Sequence, residues 1–503
     1  MNVASRTVLD AVRGSCDAFS DLPAFTFWDP SREDCESKQS ISYGELDEKA
    51  KRLAVRLRDT SEGPVILLMQ PGIDYYVTFF AAIYAGMPAV PVYPPSRVKL
   101  KRDIARLSAI LAKIPDAILV AEPGILNPLK EFIEDHLPQL RPQQLIDTTV
   151  PDNGIEGWRS PKVALTDPLF IQFTSGSTTD PRGAVISHEN LLDNVGAITE
   201  RFGLDTSSRG ALWLPPYHDM GLIGGVLTPI ITGFPIHLMS PHSFLADPMS
   251  WPRLLSETRA THTGAPNFGY ALAARHAREE DIASFDLTEL EVAFSGAEPV
   301  DAETLRHFAD RFALAGFDPK VFLPCYGLAE ATLIVSGSRP QRGARVLRVD
   351  SEKLAFGRAE LAHDDTGTEL VSCGSVVSGT GVMIVDPTTR KDVGENVLGE
   401  IIVASPSVAK GYLNDPAKSR STFDFTVPGS LKSWMRTGDL GFLSDGELVP
   451  VTRIKDLILV RGRNIYPQDV ENTVYESDPR VRRGCVAAAS LPGTDGSDEI
   501  LIV

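Results

Sequence analysis

The chain has 503 residues, of which 43% are hydrophobic and 23% charged, and its formal net charge is −17. This length exceeds what a single core usually supports, so the sequence predicts two or more domains. The acidic balance argues against a nucleic-acid-binding surface, because such a surface needs clustered Lys and Arg against phosphate. The one basic cluster, at residues 97–102, is short.

Cysteine content and hydropathy bear on the compartment. The cysteines are far apart and form no CxxC pair: Cys16, Cys35, Cys325, Cys373 and Cys485. An odd, sparse set argues against a disulfide framework or a zinc cluster and favours a reducing compartment. The N-terminus lacks a signal-peptide core, and no apolar run approaches the ~20 residues that cross a bilayer. We therefore expect a cytoplasmic protein that is not an integral membrane protein.

Strands alternate with helices in the first half of the chain. Residues 63–94 predict a strand, a helix and a second strand, which together form a βαβ unit. Further short apolar runs lie at 117–121, 210–214 and 235–239, each near helical stretches. Repeated alternation of this kind predicts an α/β architecture with a parallel sheet.

A loop rich in small polar residues follows the apolar run 168–173, which predicts a buried strand. Residues 174–183 crowd several hydroxyl side chains, two glycines and Arg182 into this loop. Small residues let an anion approach the main chain, and the guanidinium of Arg182 adds a positive charge. The loop therefore predicts a polyphosphate site, the alternative being an ordinary Ser/Gly surface turn.

The pattern of predicted secondary structure changes from about residue 372. Short β-branched runs at 381–385 and 399–403 alternate with turns, which predicts a small antiparallel or barrel-like subdomain. A second boundary is predicted near Lys455. The 48 residues that follow are few for an independent core, and 499–503 predict a strand left without a partner. We expect domains at 1–454 and 455–503, with the chain ending partway through the second.

Five further segments carry residues suited to chemistry. His218 follows a strand and two prolines at a predicted strand–helix junction, and 294–299 offer small residues against which a flat ring could lie. Tyr326 offers a stacking face, and Glu330 offers an oxygen ligand for a hard cation.

The last two of these segments contain Asp439, which could accept two ribose hydroxyls, and the pair Arg453 and Lys455. Every one of the five segments also has a structural alternative: a satisfied histidine in a turn, a core tyrosine, a surface turn or an exposed salt-bridge partner.

In this order, the six motifs resemble those of the adenylate-forming superfamily of acyl-CoA synthetases, luciferases and peptide-synthetase adenylation domains. The resemblance extends from about residue 44 to residue 471. Segments 217–225, 296–299 and 326–332 are most similar to the fatty acyl-AMP ligases. Segment 339–371 resembles the insertion that restrains the C-terminal domain of those enzymes. The implied fold is a large N-terminal domain of two packed α/β sheets with a small β-barrel-like subdomain, and a partial α+β C-terminal domain.

The resemblance implies a role for each motif in binding ATP and Mg²⁺. The β- and γ-phosphates would be held by Thr174, Ser175, Gly176, Ser177, Thr178 and Gly183. The adenine would be held by Gly296, Ala297, Glu298, Tyr326, Gly327, Leu328 and Ala329. Glu330, helped by Thr174, would hold Mg²⁺. Asp439 would bind the ribose hydroxyls, and Arg453 would reach ribose or phosphate.

On the acyl side, the resemblance places His218 beside the fatty carboxylate. The mouth of an acyl tunnel would be formed by Met220, Gly221, Gly224 and Gly225. Lys455 would be the hinge between the domains.

The implied function is ATP-dependent activation of a fatty acid to fatty acyl-AMP, followed by transfer to the phosphopantetheine thiol of an acyl carrier protein. Two alternatives remain: an acyl-CoA ligase, and an inactive regulatory module that binds ATP or acyl chains. Thr179 and Arg182 depart from the usual Gly and Lys of the superfamily. The family's catalytic lysine would lie beyond residue 503, so we expect this chain alone to adenylate slowly.

Overall fold

The structure is a computed structural model, and it describes most of the chain. Residues 174–180 of the predicted phosphate loop, which spans 174–183, lie outside the described residues. The described ranges are 7–30, 37–95, 100–126, 140–151, 155–173, 181–362, 367–430, 432–460, 463–478, 480–481, 485–492 and 498–503.

The first sheet contains the predicted βαβ unit. Strand β3 (Val65–Leu68) leads through helix α3 (Ile73–Ala85) to a parallel neighbour, β4 (Ala89–Pro91), which confirms that prediction. Every residue of β3 is buried, as a parallel strand covered on both faces requires. The remaining strands are β5 (Ile118–Ala121), β6 (Leu145–Asp147), β7 (Pro168–Phe173) and β8 (Gly183–Ser187). Their order is β6-β5-β3-β4-β7-β8, and only β8 runs antiparallel.

The second sheet has a parallel centre that carries the candidate site. Its parallel strands are β1 (Pro23–Trp28), β9 (Gly210–Leu212), β10 (Ile236–Met239), β11 (His262–Ala265), β12 (Val292–Ser295) and β13 (Phe322–Gly327). They lie in the order β1-β10-β9-β11-β12-β13, and β2 (Lys38–Ser42) closes one edge antiparallel to β1. The carboxyl ends of these strands therefore share one edge, where open α/β sheets bind their ligands.

Antiparallel strands extend this second sheet beyond β13. They are β14 (Ile334–Gly337), β17 (Ser375–Val376), β18 (Gly381–Val385), β19 (Gly399–Ala404), β20 (Met435–Ser444) and β21 (Glu447–Arg453). The antiparallel character of the segment after residue 372 confirms the prediction. Hydrogen bonds from β14 to β17 nevertheless join it to the parallel strands, so it forms one continuous sheet of thirteen strands with them.

Two helices pack between the sheets. Helix α3 contacts strands of both sheets and is buried along nearly its whole length. Helix α5 (His188–Phe202) begins at a capping box of Ser187 and Asn190 and ends at Gly203, whose φ is 67°. The other α-helices are α1 (Val8–Ala18), α2 (Tyr43–Thr60), α4 (Leu100–Lys113), α6 (Thr228–Thr232), α7 (Pro241–Ala246), α8 (Ser250–Thr258), α9 (Asn267–His276), α10 (Glu279–Ile282), α11 (Ala302–Phe312), α12 (Ser351–Ala355), α13 (Pro416–Phe423) and α14 (Pro467–Ser477).

Shorter helical turns connect these elements. A π-helix spans Met220–Leu227 and continues into α6. The 3₁₀ turns are Pro142–Gln144, Ile155–Gly157, Ala313–Ala315, Pro319–Val321 and Ala329–Ala331.

The segment 339–371, predicted as an insertion, folds as a hairpin of β15 (Val346–Val349) and β16 (Thr368–Val371) with α12 between them. Beyond Lys455 follow β22 (Ile458–Val460) and β23 (Arg463–Ile465), then α14, β24 (Ala488–Pro492) and β25 (Asp498–Ile502). The prediction that the last strand has no partner is wrong, because β25 pairs antiparallel with β24.

Candidate active site

One large cavity, of about 1030 Å³, opens at the carboxyl edge of the second sheet. Twelve of the predicted site residues line it: His218, Met220, Gly224, Ala297, Tyr326, Gly327, Leu328, Ala329, Glu330, Asp439, Arg453 and Lys455. These residues come from segments spread over more than two hundred positions of the sequence. The fold therefore gathers the predicted motifs around a single space.

A polar chain of contacts links Tyr326, Asp439 and Arg453. The Tyr326 hydroxyl donates to Asp439 Oδ2 at 2.6 Å, and Arg453 Nε lies 3.5 Å from Asp439 Oδ1. Asp439 and Arg453 face each other in the register of β20 and β21. Burial raises the pKa of the Asp439 carboxyl, with the Tyr326 hydrogen bond and the charge of Arg453 opposing that shift. Tyr326 thus also holds Asp439 in place, a contact that its predicted stacking role did not include.

The segment after β12 brings main chain close to the cavity. Ala297 lines the cavity with a positive φ of 70°, a conformation that favours glycine. Gly296 is buried, and a Cβ there would lie 2.9 Å from Cys325 Sγ on the neighbouring strand. Glu298 accepts a hydrogen bond from the Phe268 N–H at 2.6 Å, near the start of α9. Its carboxylate therefore contacts α9, and its predicted contact with adenine stays a prediction.

Glu330 sits on a short 3₁₀ turn directly after β13. Its Oε1 accepts a hydrogen bond from the Tyr412 hydroxyl at 2.7 Å, and its carbonyl accepts from the Ala409 N–H at 2.8 Å. The carboxylate lines the cavity. A carboxylate that lies beside bound phosphates would fit Mg²⁺, which typically takes one or two carboxylates and completes its shell with phosphates and water. Across the described ranges, no group of three or more His, Cys, Asp or Glu side chains forms a metal site by itself.

His218 lies at the junction of β9 and the π-helix, where the sequence predicted it. Its Nδ1 is 2.6 Å from Asp219 Oδ1. The negative charge of Asp219 raises the pKa of His218, while burial opposes that shift. Asp219 also accepts a hydrogen bond from the Met220 N–H at 2.6 Å, so the same carboxylate fixes the start of the helix.

The three predicted glycines of the π-helix, Gly221, Gly224 and Gly225, lie in different surroundings. Gly224 lines the cavity, and a Cβ at that position would meet no atom within 4 Å. A Cβ at Gly221 would lie only 2.2 Å from the Pro215 carbonyl oxygen, and one at Gly225 would lie 3.2 Å from Leu212 Cδ1. Gly224 therefore faces the open space, whereas Gly221 and Gly225 allow close packing of the π-helix on its neighbours.

The phosphate side is described only at its edges. Thr174, Ser175, Gly176, Ser177 and Thr178 lie outside the described residues. Gly183 pairs with Phe173 across β7 and β8, and a Cβ there would lie 2.6 Å from Ile171 Cγ2. Arg182, one residue earlier, lines the cavity. Strands β7 and β8 therefore place the two ends of the predicted phosphate loop at the cavity wall.

Sequence reasoning missed several residues around the cavity. Tyr412 lies 82 positions from Glu330, and no motif spacing connects the two. Arg436 forms a two-pronged ion pair with Glu400, which is 1% exposed, and Glu400 Oε1 also accepts from the Gly438 N–H. The Arg436–Glu400 pair holds the turn that precedes Asp439. A weak sequence signal existed for Arg436 alone, which begins the segment that contains Asp439.

Comparison with known families and sequences gives a consistent picture. The family described as AMP-binding enzyme matches residues 12–413. The medium-chain-fatty-acid acyl-carrier-protein ligase JamA of Moorena producens is 35% identical over 506 residues, covering 99% of this chain and 85% of JamA. The long-chain-fatty-acid AMP ligase FadD28 of Mycobacterium tuberculosis is 34% identical over 498 residues, covering 96% of this chain and 84% of FadD28.

A solved structure shows the same fold with reaction products bound. It is the fatty acyl-adenylate ligase of L. pneumophila in complex with acyl adenylate and pyrophosphate, which is 35% identical to this chain. The two superpose with a TM-score of 0.82, over 99% of this chain and 85% of the other. Within the described part of this chain, no helix combines the length and the hydrophobicity needed to cross a membrane.

Proposed function

We propose, from the premise that this chain belongs to the family of AMP-binding enzymes, that it is a fatty acyl-AMP ligase. It activates a fatty acid with ATP, releases pyrophosphate and passes the acyl group to the phosphopantetheine thiol of an acyl carrier protein. The observation that carries this proposal is that one cavity is lined both by the polar side chains of Tyr326, Glu330, Asp439 and His218 and by apolar side chains of the second sheet. A cytoplasmic location remains a prediction.

The chemistry requires two anions to meet. A fatty carboxylate is already ionised at neutral pH, so its attack on the α-phosphorus needs charge neutralisation and alignment. The negative charge of Asp219 raises the pKa of His218, which favours the protonated ring and a positive charge near the carboxylate. Arg453 presents a second positive charge beside Asp439.

The remaining residues bind the nucleotide. Asp439 accepts the ribose hydroxyls while the hydrogen bond from Tyr326 holds its carboxylate in place, and Ala297 and Tyr326 border the adenine. Glu330 would hold Mg²⁺, which neutralises phosphate charge when bound. The acyl-adenylate is a mixed anhydride, so its survival depends on an enclosed site that excludes water.

The insertion at 339–371 supports transfer to a carrier protein rather than to free CoA, through its contacts with the segment after Lys455. The Tyr466 hydroxyl donates to the Leu354 carbonyl at 3.0 Å, and Tyr466 packs in one apolar cluster with Leu347 and Val349. The Arg463 guanidinium lies 5.5 Å from the centre of the Phe356 ring. These contacts can restrain the rotation that a thioester-forming step on free CoA needs.

The test of the activity uses the full-length protein. Fatty-acid-dependent exchange between ATP and pyrophosphate is expected, together with acylation of a phosphopantetheinylated carrier protein that clearly exceeds acylation of free CoA. Equal acylation of CoA would favour the acyl-CoA ligase. Exchange absent with every fatty acid would favour the inactive binding module.

The restraint is tested by point substitutions, because deleting 339–371 would remove Val349 and its neighbours and expose the buried side chains of Phe442 and Val449 that pack against them. Tyr466→Phe and Phe356→Ala should each raise acylation of CoA relative to the carrier protein. Leu361→Ala, which removes an exposed side chain of the same insertion, serves as the control. An unchanged ratio in both test variants, with unchanged thermal stability, would count against the restraint.

A further inference from the structure

The apolar end of the cavity lies against one face of the second sheet. Gly210 and Leu212 on β9 line it, and so do His262 on β11 and Phe294 on β12. Side chains two positions apart in a strand share a face, so these residues define a single wall. A Cβ at Gly264 would lie 2.3 Å from the Phe294 ring, which shows that this ring covers the middle of the wall.

The far end of this wall is a row of strand-starting residues. Gly210 pairs with Ile236 on one side and with His262 on the other. The rings of Phe202 and Phe234 also line the cavity here. Ile236, Phe234 and Phe202 are only 2%, 3% and 9% exposed, so buried side chains cap this end of the cavity.

The strand register gives the depth of the space. Val292 pairs with His262 in this end row, and Gly296, at the nucleotide side, lies four positions further along the same chain segment. At about 3.3 Å per residue the distance is roughly 13 Å. An extended hydrocarbon advances about 1.25 Å per carbon, given a C–C bond of about 1.5 Å. A straight chain that runs along the strand from the nucleotide side to this row therefore has about ten carbons.

His262 is the one polar side chain in the end row, and its hydrogen-bond partners belong to the protein. His262 Nε2 lies 3.2 Å from the Phe202 carbonyl oxygen, which can only accept, so Nε2 carries the hydrogen. His262 Nδ1 then accepts from the Thr261 hydroxyl at 2.8 Å. Burial lowers the pKa of His262, which favours the neutral ring. No hydrogen-bonding position of the ring is left for a polar group at the end of a bound chain.

We propose that Gly210, Ile236 and His262, together with the rings of Phe202 and Phe234, form the stop against which the methyl end of the acyl chain rests. They select straight, methyl-terminated acids of about eight to twelve carbons. The inference rests on the proposed function and adds the substrate class. Similarity alone does not supply that class, because the relatives include both medium-chain and long-chain ligases.

The first experiment measures binding, so that it does not depend on turnover. Acyl sulfamoyl adenosines, which are stable mimics of acyl-AMP, are titrated against the protein with straight chains of about six to about eighteen carbons. The affinity should rise up to about ten carbons and fall by at least about tenfold for the longest chains, since extra methylenes do not fit a closed end. The acids themselves should show the same profile in pyrophosphate exchange by the full-length protein.

Two substitutions should move the optimum in opposite directions. Gly210→Ala adds a Cβ 3.0 Å from Ile236 Cδ1 and 3.4 Å from Phe234 Cε2, so the optimum should shorten by about two carbons. Phe202→Ala removes a ring from the end wall and should lengthen it by about four carbons. Its backbone carbonyl still pairs with His262. Phe317→Ala, a buried ring of the same core that does not line the cavity, should leave the optimum unchanged.

The outcomes separate this inference from the proposed function. If no acyl sulfamoyl adenosine of any length binds, the proposed function fails and the inference fails with it. If they bind but the optimum lies at sixteen carbons or more, or Gly210→Ala leaves it unshifted in a folded protein, the inference alone is overturned. A hydroxyl at the far end of a ten-carbon acid should weaken binding by about tenfold, because it would be buried without a partner. Equal binding would also overturn the inference.

Discussion

The nucleotide side and the acyl side of the cavity differ in chemistry and in how the chain builds them. On the nucleotide side, polar residues come in short runs, at 326–330 and 437–439, placed at strand ends and turns. On the acyl side, apolar residues come one or two from each of several strands and from the end of α5. A substitution on the nucleotide side should therefore lower turnover by the same factor for every fatty acid. A substitution on the acyl side should change which fatty acid is preferred.

Glu330→Gln should produce the largest loss on the nucleotide side. The amide can still accept the hydrogen bond from Tyr412 but carries no charge for Mg²⁺. Turnover should fall by about 100-fold or more, as when one electrostatic stabiliser is removed. Pyrophosphate exchange across a series of Mg²⁺ concentrations measures it, with Glu280→Gln on the exposed surface as control. A changed preference for fatty-acid chain length in Glu330→Gln would contradict the view that the nucleotide side and the acyl side act independently.

Asp439→Asn should weaken ATP binding by about tenfold to 100-fold. The carboxylate is the partner of both Tyr326 and Arg453, and hydrogen bonds to charged groups contribute about 1.5–3 kcal/mol. The KM for ATP, measured at saturating fatty acid, should rise accordingly. Tyr326→Phe removes only one of the two contacts and should give a smaller rise. If Tyr326→Phe has the larger effect, Asp439 does not hold the ribose.

His218 lines the same cavity and should respond to pH. Its pKa is raised by Asp219, so its positive charge is present below that pKa and is lost as the pH rises through it. Asp219→Asn keeps an acceptor for the Met220 N–H but removes the charge, so the pKa should fall. The alkaline limb of kcat/KM for the fatty acid should then move to lower pH, whereas Asp310→Asn at the surface should leave it in place. An unmoved limb in Asp219→Asn would exclude His218 as the titrating group.

His218→Ala tests the same position by truncation. Because we propose that His218 lies beside the fatty carboxylate and not beside the nucleotide, adenylation should weaken more than ATP binding does. Turnover in pyrophosphate exchange and the affinity for ATP, measured separately, give the two effects. Equal losses of turnover and of ATP affinity would contradict the proposed position of His218 beside the carboxylate.

Tyr412→Phe should have the smallest effect. It removes the hydroxyl that orients Glu330 but keeps the ring, whose centre lies 5.1 Å from that of Phe423. The Mg²⁺ concentration for half-maximal exchange should rise by about threefold to tenfold, consistent with the loss of one hydrogen bond to a charged group. A change in chain preference without a change in Mg²⁺ dependence would assign Tyr412 to the acyl side.

The nucleotide side was accessible to sequence reasoning because each of its segments is short and local. Strand β13 and the turn after it carry both Tyr326 and Glu330, so placing the motif also places the side chains. The roles of Tyr326 and Glu330 stay predictions. Thr174 and its neighbours lie outside the described residues, so their roles also stay predictions. Tyr412 was missed because its contact with Glu330 forms only when two distant segments pack together.

The sequence by itself determined the α/β class, the βαβ unit at β3 and β4, and the order of the motifs, since these depend on local periodicity and on turns. The tertiary structure alone decided that β9 lies between β10 and β11, and that Gly210, Ile236 and His262 therefore form one row. Strand order and register depend on contacts between residues far apart in the chain, which no local pattern encodes. The same physical reason makes the nucleotide site recognisable in the sequence and leaves the length of the acyl chain to the packed core.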